Sequence, residues 1–378
     1  MSGATVADRD DARGPHVLHV ADREVFVRFG AMLRQLFLGL GDADVTVSVL
    51  TDDADSARRF VPPTATAHVV TALSGWRSWR LTAKLGECIS EAPTLAHCWG
   101  IRPATSIERW AKHHGVPLLI HALSTADVLT LNRRGARPDQ YVAGACDSLC
   151  RALGVRRPVS HYPVQRLTPG ILVPDEDAPA RASHDTLGVI WLGRIAAENG
   201  LDTLIDAVAH LQQQQRDIQL VIIGRGPHET KIRGTIQSRG LQDRVSVIND
   251  VGVWDSVMAG IDVCVVPARQ QELSLGPLMA MALAKTVVAS RDQIAEWFVE
   301  DTTAWMFSPG SATELAECLA RADSCREEAA LLGRQARDWV RQRHKMSRLI
   351  AEAAAFYSSV AYPRKTVSFR QSRGQTAS

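Results

Sequence analysis

In the second half of the chain, short apolar runs alternate with segments of helical spacing. Val189-Ile190-Trp191-Leu192 is the first run, closed by Gly193-Arg194 and a polar turn that reaches Gly200 and Asp202. Leu204, Ile205, Val208 and Leu211 then recur at the three- and four-residue steps of one helix face. Leu220-Val221-Ile222-Ile223 is the second run and stops at Gly224-Arg225-Gly226-Pro227. The third lies between Asp262 and Pro267, followed by a loop and a helix-like stretch from Pro277 to Ala284. Continuous apolar strands between helices predict a parallel sheet covered on both faces. Ligands of such sheets sit beyond the carboxyl ends of the strands.

The first half follows the same logic more loosely. Val17-Leu18-His19-Val20, Val45 to Leu50, Leu95-Ala96-His97-Cys98 and Val116 to His121 read as strands. Val25 to Leu40, Ser106 to His114 and Asp139 to Leu153 read as helices. Residues 15–172 and 186–345 are therefore expected to be two α/β domains. The stretch from Pro174 to Asp185, rich in Pro, Ala and acidic residues, reads as the linker. Residues 313–360 read as wholly helical and amphipathic. Residues 363–378 are polar and basic and are expected to be disordered.

Composition narrows the classes. A chain of 378 residues has room for two ordinary domains, and 46% hydrophobic with 22% charged residues fits a soluble protein. A formal net charge of +2 gives no global case for a nucleic-acid partner. Met1 to Gly14 is polar and lacks the apolar core of a signal peptide. No apolar run approaches the roughly 20 residues of a membrane span. Seven scattered cysteines argue against a disulfide framework and for reduced thiols in a cytoplasm. Cys146 and Cys150 share a helix spacing but lack companions for a metal site.

The order and spacing of these motifs resemble the donor-binding half of retaining glycosyltransferases of the GT-B fold, specifically glycosyltransferase family 4. The likeness continues through Val287 to Ser290, Gln293-Ile294-Ala295-Glu296 and Ser308-Pro309-Gly310. Leu167-Thr168-Pro169-Gly170-Ile171 is similar to the family's strand and turn at the domain junction. The resemblance implies two Rossmann-like parallel-sheet domains facing across a cleft. It also implies a C-terminal helix, residues 346–362, crossing back to the N-terminal domain. The donor is then a nucleotide-diphosphate sugar, with no cofactor and no metal. The acceptor is a glycan, a lipid-linked sugar or a small molecule, and contact with the inner face of a membrane is peripheral.

Individual positions inherit roles from that resemblance. Gly193-Arg194 ends the first donor-domain strand, where the family's Arg, with a Lys five residues on, holds the diphosphate as negative charge develops on it. Arg194 matches, but the Lys position falls on Asn199, which carries no charge. Gly224 and Gly226 either let the backbone approach the nucleotide or only form a tight turn. The loop from Arg269 to Gly276 corresponds to the family's Glu-x7-Glu segment, in one of two registers. These put Gln271 and Met279, or Glu272 and Ala280, at the two acidic positions. Gln271 or Glu272 is thus expected near the donor sugar, and no acid occurs from Leu273 to Arg291. Backbone N–H groups of Ser274, Leu275 and Gly276 are expected to face the phosphates. His121 is expected to face the sugar from the other domain, or else to be an ordinary core histidine, with His97 a weaker candidate of the same kind.

The first loop, Ala21-Asp22-Arg23-Glu24, lacks the family's Gly-Gly pair and offers polar side chains to an acceptor instead. Trp76, Arg77, Trp79 and Arg80 form a basic aromatic cluster, suited to a lipid headgroup layer or to a buried tryptophan pair. Two other functions share this architecture. One is a non-catalytic protein that binds a glycan, a nucleotide sugar or a partner glycosyltransferase. The other is a sugar-nucleotide epimerase, which fits the spacing less well.

Overall fold

A computed structural model describes residues 14–70, 84–89, 91–135, 137–154, 162–174, 186–249, 257–258, 260–268 and 272–362. The linker from 175 to 185, the tail from 363, the Trp76–Arg80 cluster and Gln271 lie outside the described residues.

The first domain holds a seven-stranded parallel sheet in the order β3-β2-β1-β4-β5-β6-β7. Its strands are β1 His16–Val20, β2 Thr46–Thr51, β3 Thr66–Val69, β4 Leu95–Trp99, β5 Leu118–Ala122, β6 Gln140–Gly144 and β7 Gln165–Arg166. The helices are α1 Arg23–Asp42, α2 Ala54–Phe60, α3 Ile101–His114, α4 Thr125–Arg134 and α5 Asp147–Gly154. The second domain has a six-stranded parallel sheet, order β10-β9-β8-β11-β12-β13. Here β8 is Leu187–Leu192, β9 Ile218–Ile223, β10 Val245–Ile248, β11 Val263–Val266, β12 Thr286–Ser290 and β13 Trp305–Phe307. Around it lie α6 Leu201–Gln213, α7 Glu229–Ser238, α8 Gly276–Ala282, α9 Ala312–Ser324 and α10 Arg326–Arg343, and α11 Met346–Ala361 follows. Two Rossmann-like parallel-sheet domains are therefore present, as the GT-B resemblance implies.

Several elements differ from the sequence reading. The stretch from Asp139 to Leu153 is not one helix, because Gln140–Gly144 forms β6 and pairs in parallel with β5. Tyr141 and Val142 suit a strand, and sheet pairing outweighs the helical spacing there. Helix α3 begins at Ile101 rather than Ser106, because the Asp127 carboxylate from α4 accepts a hydrogen bond from Ile101 N at 2.9 Å and caps the helix from outside. The helical region after 312 breaks at Cys325 and at His344-Lys345. Strands β10 and β13 had no strong run to announce them.

The crossover is built from complementary surfaces. Asp22 caps α1 by accepting from Val25 N at 3.0 Å, and Phe26, Phe29, Leu33, Leu36 and Phe37 form its buried stripe. Helix α11 lies against α1 with Leu349, Ala353 and Tyr357 buried. At the crossing, Gly39 faces the tip of the Ile350 side chain, which a Cβ there would push aside. The chain enters α11 over the junction strand, where Ile171 N donates to His344 O at 2.7 Å and Met346 N to Ile171 O at 3.2 Å.

Candidate functional site

The loops at the carboxyl ends of β8, β9 and β11 seat on one another. Ile195 N donates to Arg225 O at 2.9 Å, and Gly193 N to Ile223 O at 3.1 Å. A Cβ on Gly224 would fall on the carbonyl oxygen of Gly193, and one on Gly226 on that of Ile195. Both glycines are therefore required by loop-on-loop contact, whatever ligand they meet. Gly200 has φ +72°, and a Cβ there would crowd Ala268 and Pro267 at the end of β11. Gly276 packs directly on Leu192. Gly200, Gly224 and Gly226 thus bring three strand-end loops within backbone contact.

Arg194 stands exposed on this edge, and its guanidinium has no partner among the described residues. Asn199 serves a different purpose from the lysine whose position it takes. Its side-chain amide donates to Arg194 O at 2.6 Å and staples the loop that presents Arg194. Sequence reasoning missed Arg225, which follows Gly224 as Arg194 follows Gly193 on the neighbouring strand. It is likewise exposed and without a partner among the described residues.

The segment ahead of α8 crosses to the other domain. Leu273 N donates to Leu123 O at 3.0 Å, and Ser124 and Glu272 form an antiparallel bridge. Arg28 of α1 lies 3.5 Å from Glu272 Oε2 and donates to Leu273 O at 3.4 Å. The backbone cradle is narrower than expected. Gly276 N–H is taken by the Ser274 hydroxyl at 3.3 Å, and Pro277 offers none, which leaves the N–H groups of Ser274 and Leu275. Met279 is partly buried against the core and Ala280 is buried, so neither offers an acceptor at the second acidic position. Trp191 lies in the core below Gly193 rather than in the opening.

His121 sits differently from the open position that the resemblance implies. It is buried, with Nε2 2.9 Å from Leu167 O and Nδ1 3.3 Å from His97 Nε2. Burial holds its pKa down at about 4 and pushes that of His97 well below the ordinary value, so both imidazoles are neutral. The carbonyl of Leu167 only accepts, which fixes the proton on His121 Nε2 and leaves Nδ1 to accept from His97 Nε2–H. His97 Nδ1 must then accept from the Tyr357 hydroxyl at 2.6 Å. This directed chain links α11, β4, β5 and the domain junction. Asp127 is similarly consumed, because it accepts from Ile101 N, Leu123 N and the Ser124 hydroxyl. The first-loop residues are partly engaged: Asp22 caps α1, and Arg102 pairs with Glu24 at 2.7 Å. Among the described residues no group of three His, Cys, Asp or Glu is placed to hold a metal ion, and no helix is long and apolar enough to cross a membrane. All seven cysteines are free thiols.

Residues 186–322 match the family model described as glycosyl transferases group 1. The match falls within the second domain. The chain is 33% identical over 136 residues to the alpha-D-kanosaminyltransferase of Streptomyces kanamyceticus, which covers 35% of each chain. It is 27% identical over 263 residues to the 2-deoxystreptamine glucosyltransferase of the same organism, covering 68% of this chain and 64% of that one. The chain thus spans about a third of the first relative and just under two thirds of the second. Across both domains the fold matches Anabaena HepE, whose crystal structure holds UDP-glucose, with a TM-score of 0.72 and 16% identity over 91% of this chain and 100% of that one. The matched residues lie in the half that meets the first domain through the Glu272 segment.

Proposed function

We propose that the chain is a glycosyltransferase. It moves a sugar from a nucleotide-diphosphate sugar to a glycan, lipid-linked or small-molecule acceptor, with retention of configuration and without a metal. The observation that carries this reading is the Arg194 guanidinium, without a partner among the described residues, at the carboxyl end of β8. There the strand-end loops converge in a glycosyl transferases group 1 domain. A leaving diphosphate gathers charge as its bond to the sugar breaks, and a fixed cation lowers the energy of that state. The acceptor oxygen attacks the anomeric carbon on the face that the phosphate leaves, and the acceptor proton passes to the departing phosphate oxygen. No protein base is consumed, so the missing second acid does not block the step. The name of the 2-deoxystreptamine glucosyltransferase supports a small-molecule acceptor among the three classes.

In this reading Arg194 and the N–H groups of Ser274 and Leu275 hold the diphosphate, and Glu272 or Gln271 contacts the sugar. Asn199, Gly193, Gly224 and Gly226 shape the loops that carry those groups. The buried position of His121, with both ring nitrogens hydrogen-bonded, supports its reading as a core histidine rather than as a contact to the sugar. Free thiols accord with work in the cytoplasm, peripheral at the inner face of a membrane where the acceptor is lipid-linked. A second reading, a non-catalytic binder of nucleotide sugar or glycan, is favoured by Asn199, whose amide is spent on Arg194 O with no second cation in its place.

Calorimetric titration with a panel of nucleoside diphosphates and their sugars, on the native chain and on Arg194→Ala, tests both. Micromolar binding of one nucleotide, lost in the variant, together with release of nucleoside diphosphate when acceptor is added, supports the transferase. Binding without turnover favours the second reading, and no binding to any nucleotide removes both donor-site readings.

A further inference from the structure

We infer that Arg28, on the first domain, is a positioning residue for the donor sugar. It makes Glu272 part of a site shared between the two domains. The inference rests on the transferase reading above and adds a residue that neither the motifs nor the family model contains, since the model begins at residue 186.

The guanidinium of Arg28 is held from three sides. Nε donates to Glu24 O one turn back on α1 at 3.4 Å, Nη1 donates to Leu273 O at 3.4 Å, and Nη1 lies 3.5 Å from Glu272 Oε2. The side chain of Arg28 is 21% exposed and that of Glu272 47% exposed. The cation is therefore fixed while one face of the carboxylate stays open to solvent. A planar guanidinium with donors in a fork suits this better than a lysine, which would present a single point of charge. An exposed ion pair of this kind adds little stability by itself. Its consequence is orientation. Glu272 opens the segment that bridges to Ser124 and runs into the Ser274–Leu275 backbone, so a change at Arg28 moves the carboxylate before it moves Arg194. Arg194 lies on the β8 loop and makes no hydrogen bond or ion pair with Arg28 or Glu272. Arg194 is carried by the second domain alone, whereas the position of Glu272 is set by both domains.

The test compares binding of UDP with UDP-glucose, and of GDP with GDP-mannose, by calorimetry. The proteins are the full native chain, Arg28→Ala, Arg28→Lys, Glu272→Gln and the Arg28→Ala/Glu272→Gln double variant. Slow release of free sugar in the absence of acceptor is measured alongside, and thermal melts confirm that each variant is folded. The expected result has nucleoside diphosphate affinity within about twofold of native in Arg28→Ala, while sugar release falls about tenfold. Arg28→Lys recovers part of the loss, and the double variant is no worse than Glu272→Gln alone. An equal loss of diphosphate and nucleotide-sugar affinity would make Arg28 a phosphate ligand or a loop support and overturns the inference. Native behaviour in Arg28→Ala, or fully additive losses in the double variant, overturns it too. Failure of the native chain to bind any of the four ligands overturns the transferase reading and this one with it, and differs visibly from the other outcomes.

Discussion

The two sheets end in opposite ways. At the carboxyl edge of the first, the chemistry-bearing side chains are spent inside the protein. His121 and His97 serve a hydrogen-bond chain from Tyr357 to Leu167 O, and Asp127 binds three local donors. At the carboxyl edge of the second, the backbone groups are spent on one another through glycine contacts, and two guanidinium groups have no partner among the described residues. A polar residue at a strand end is thus no guide to function until its hydrogen bonds are counted. A buried polar group must find a partner within the protein, whereas an exposed cation keeps its capacity for a ligand.

The largest effect expected from this contrast is on acid stability. His19, His121 and His344 are held at about 3, 4 and 4 by burial, below the ordinary value of 6.5. The unfolded chain binds protons on these groups below pH 6.5 while the folded chain does not. Stability is therefore full above about 6.5 and falls as the pH drops toward 4, by about 1.4 kcal/mol per group for each tenfold rise in proton concentration. Urea melts between pH 7.5 and 4.5 should show a steep loss of several kcal/mol in that window, and a flat profile would refute the buried, neutral assignment. Second in size is Gly224→Ala, which sets a methyl on Gly193 O and should cost about 3 kcal/mol in a chemical melt. A near-native melt would mean that the two loops are not seated on each other.

Tyr357→Phe comes next. It strips the donor from His97 Nδ1 in a fully buried setting and should cost about 1–3 kcal/mol, with the loss appearing as destabilisation rather than as weaker nucleotide binding. If nucleotide affinity fell instead, the first edge would belong to the site after all. Arg225→Ala has the smallest expected effect. An exposed cation beside the Arg194 loop should contribute under about 1 kcal/mol to diphosphate binding, seen as a few-fold weaker affinity and a reduced salt dependence. A loss as large as that of Arg194→Ala would show that Arg225 takes over from the absent lysine.

The apolar runs at Val189, Leu220 and Val263 announced their strands because a strand buried on both faces has no polar positions to blur it. Arg194, and Gln271 or Glu272, stood out as candidates for a related reason, since each follows such a run at the spacing of a known motif. The strand at Gln140–Gly144 was not legible, because five residues carry little periodicity and its partner β5 decided the outcome. Arg28 was not legible either, because the groups it meets lie 244 and 245 residues further along the chain.

The amino-acid sequence alone determined two parallel-sheet domains, the family resemblance of the second, an Asn at position 199 where that resemblance implies a lysine, and the absence of an acid from Leu273 to Arg291. Those are properties of residue type and local spacing. The tertiary structure decided that His121 is buried, that Asn199 staples a loop, that Gly224 and Gly226 serve their neighbours and that Arg28 reaches Glu272. Each of these depends on which partner a group meets across the fold, and hydrogen bonds and ion pairs are made in space rather than along the chain.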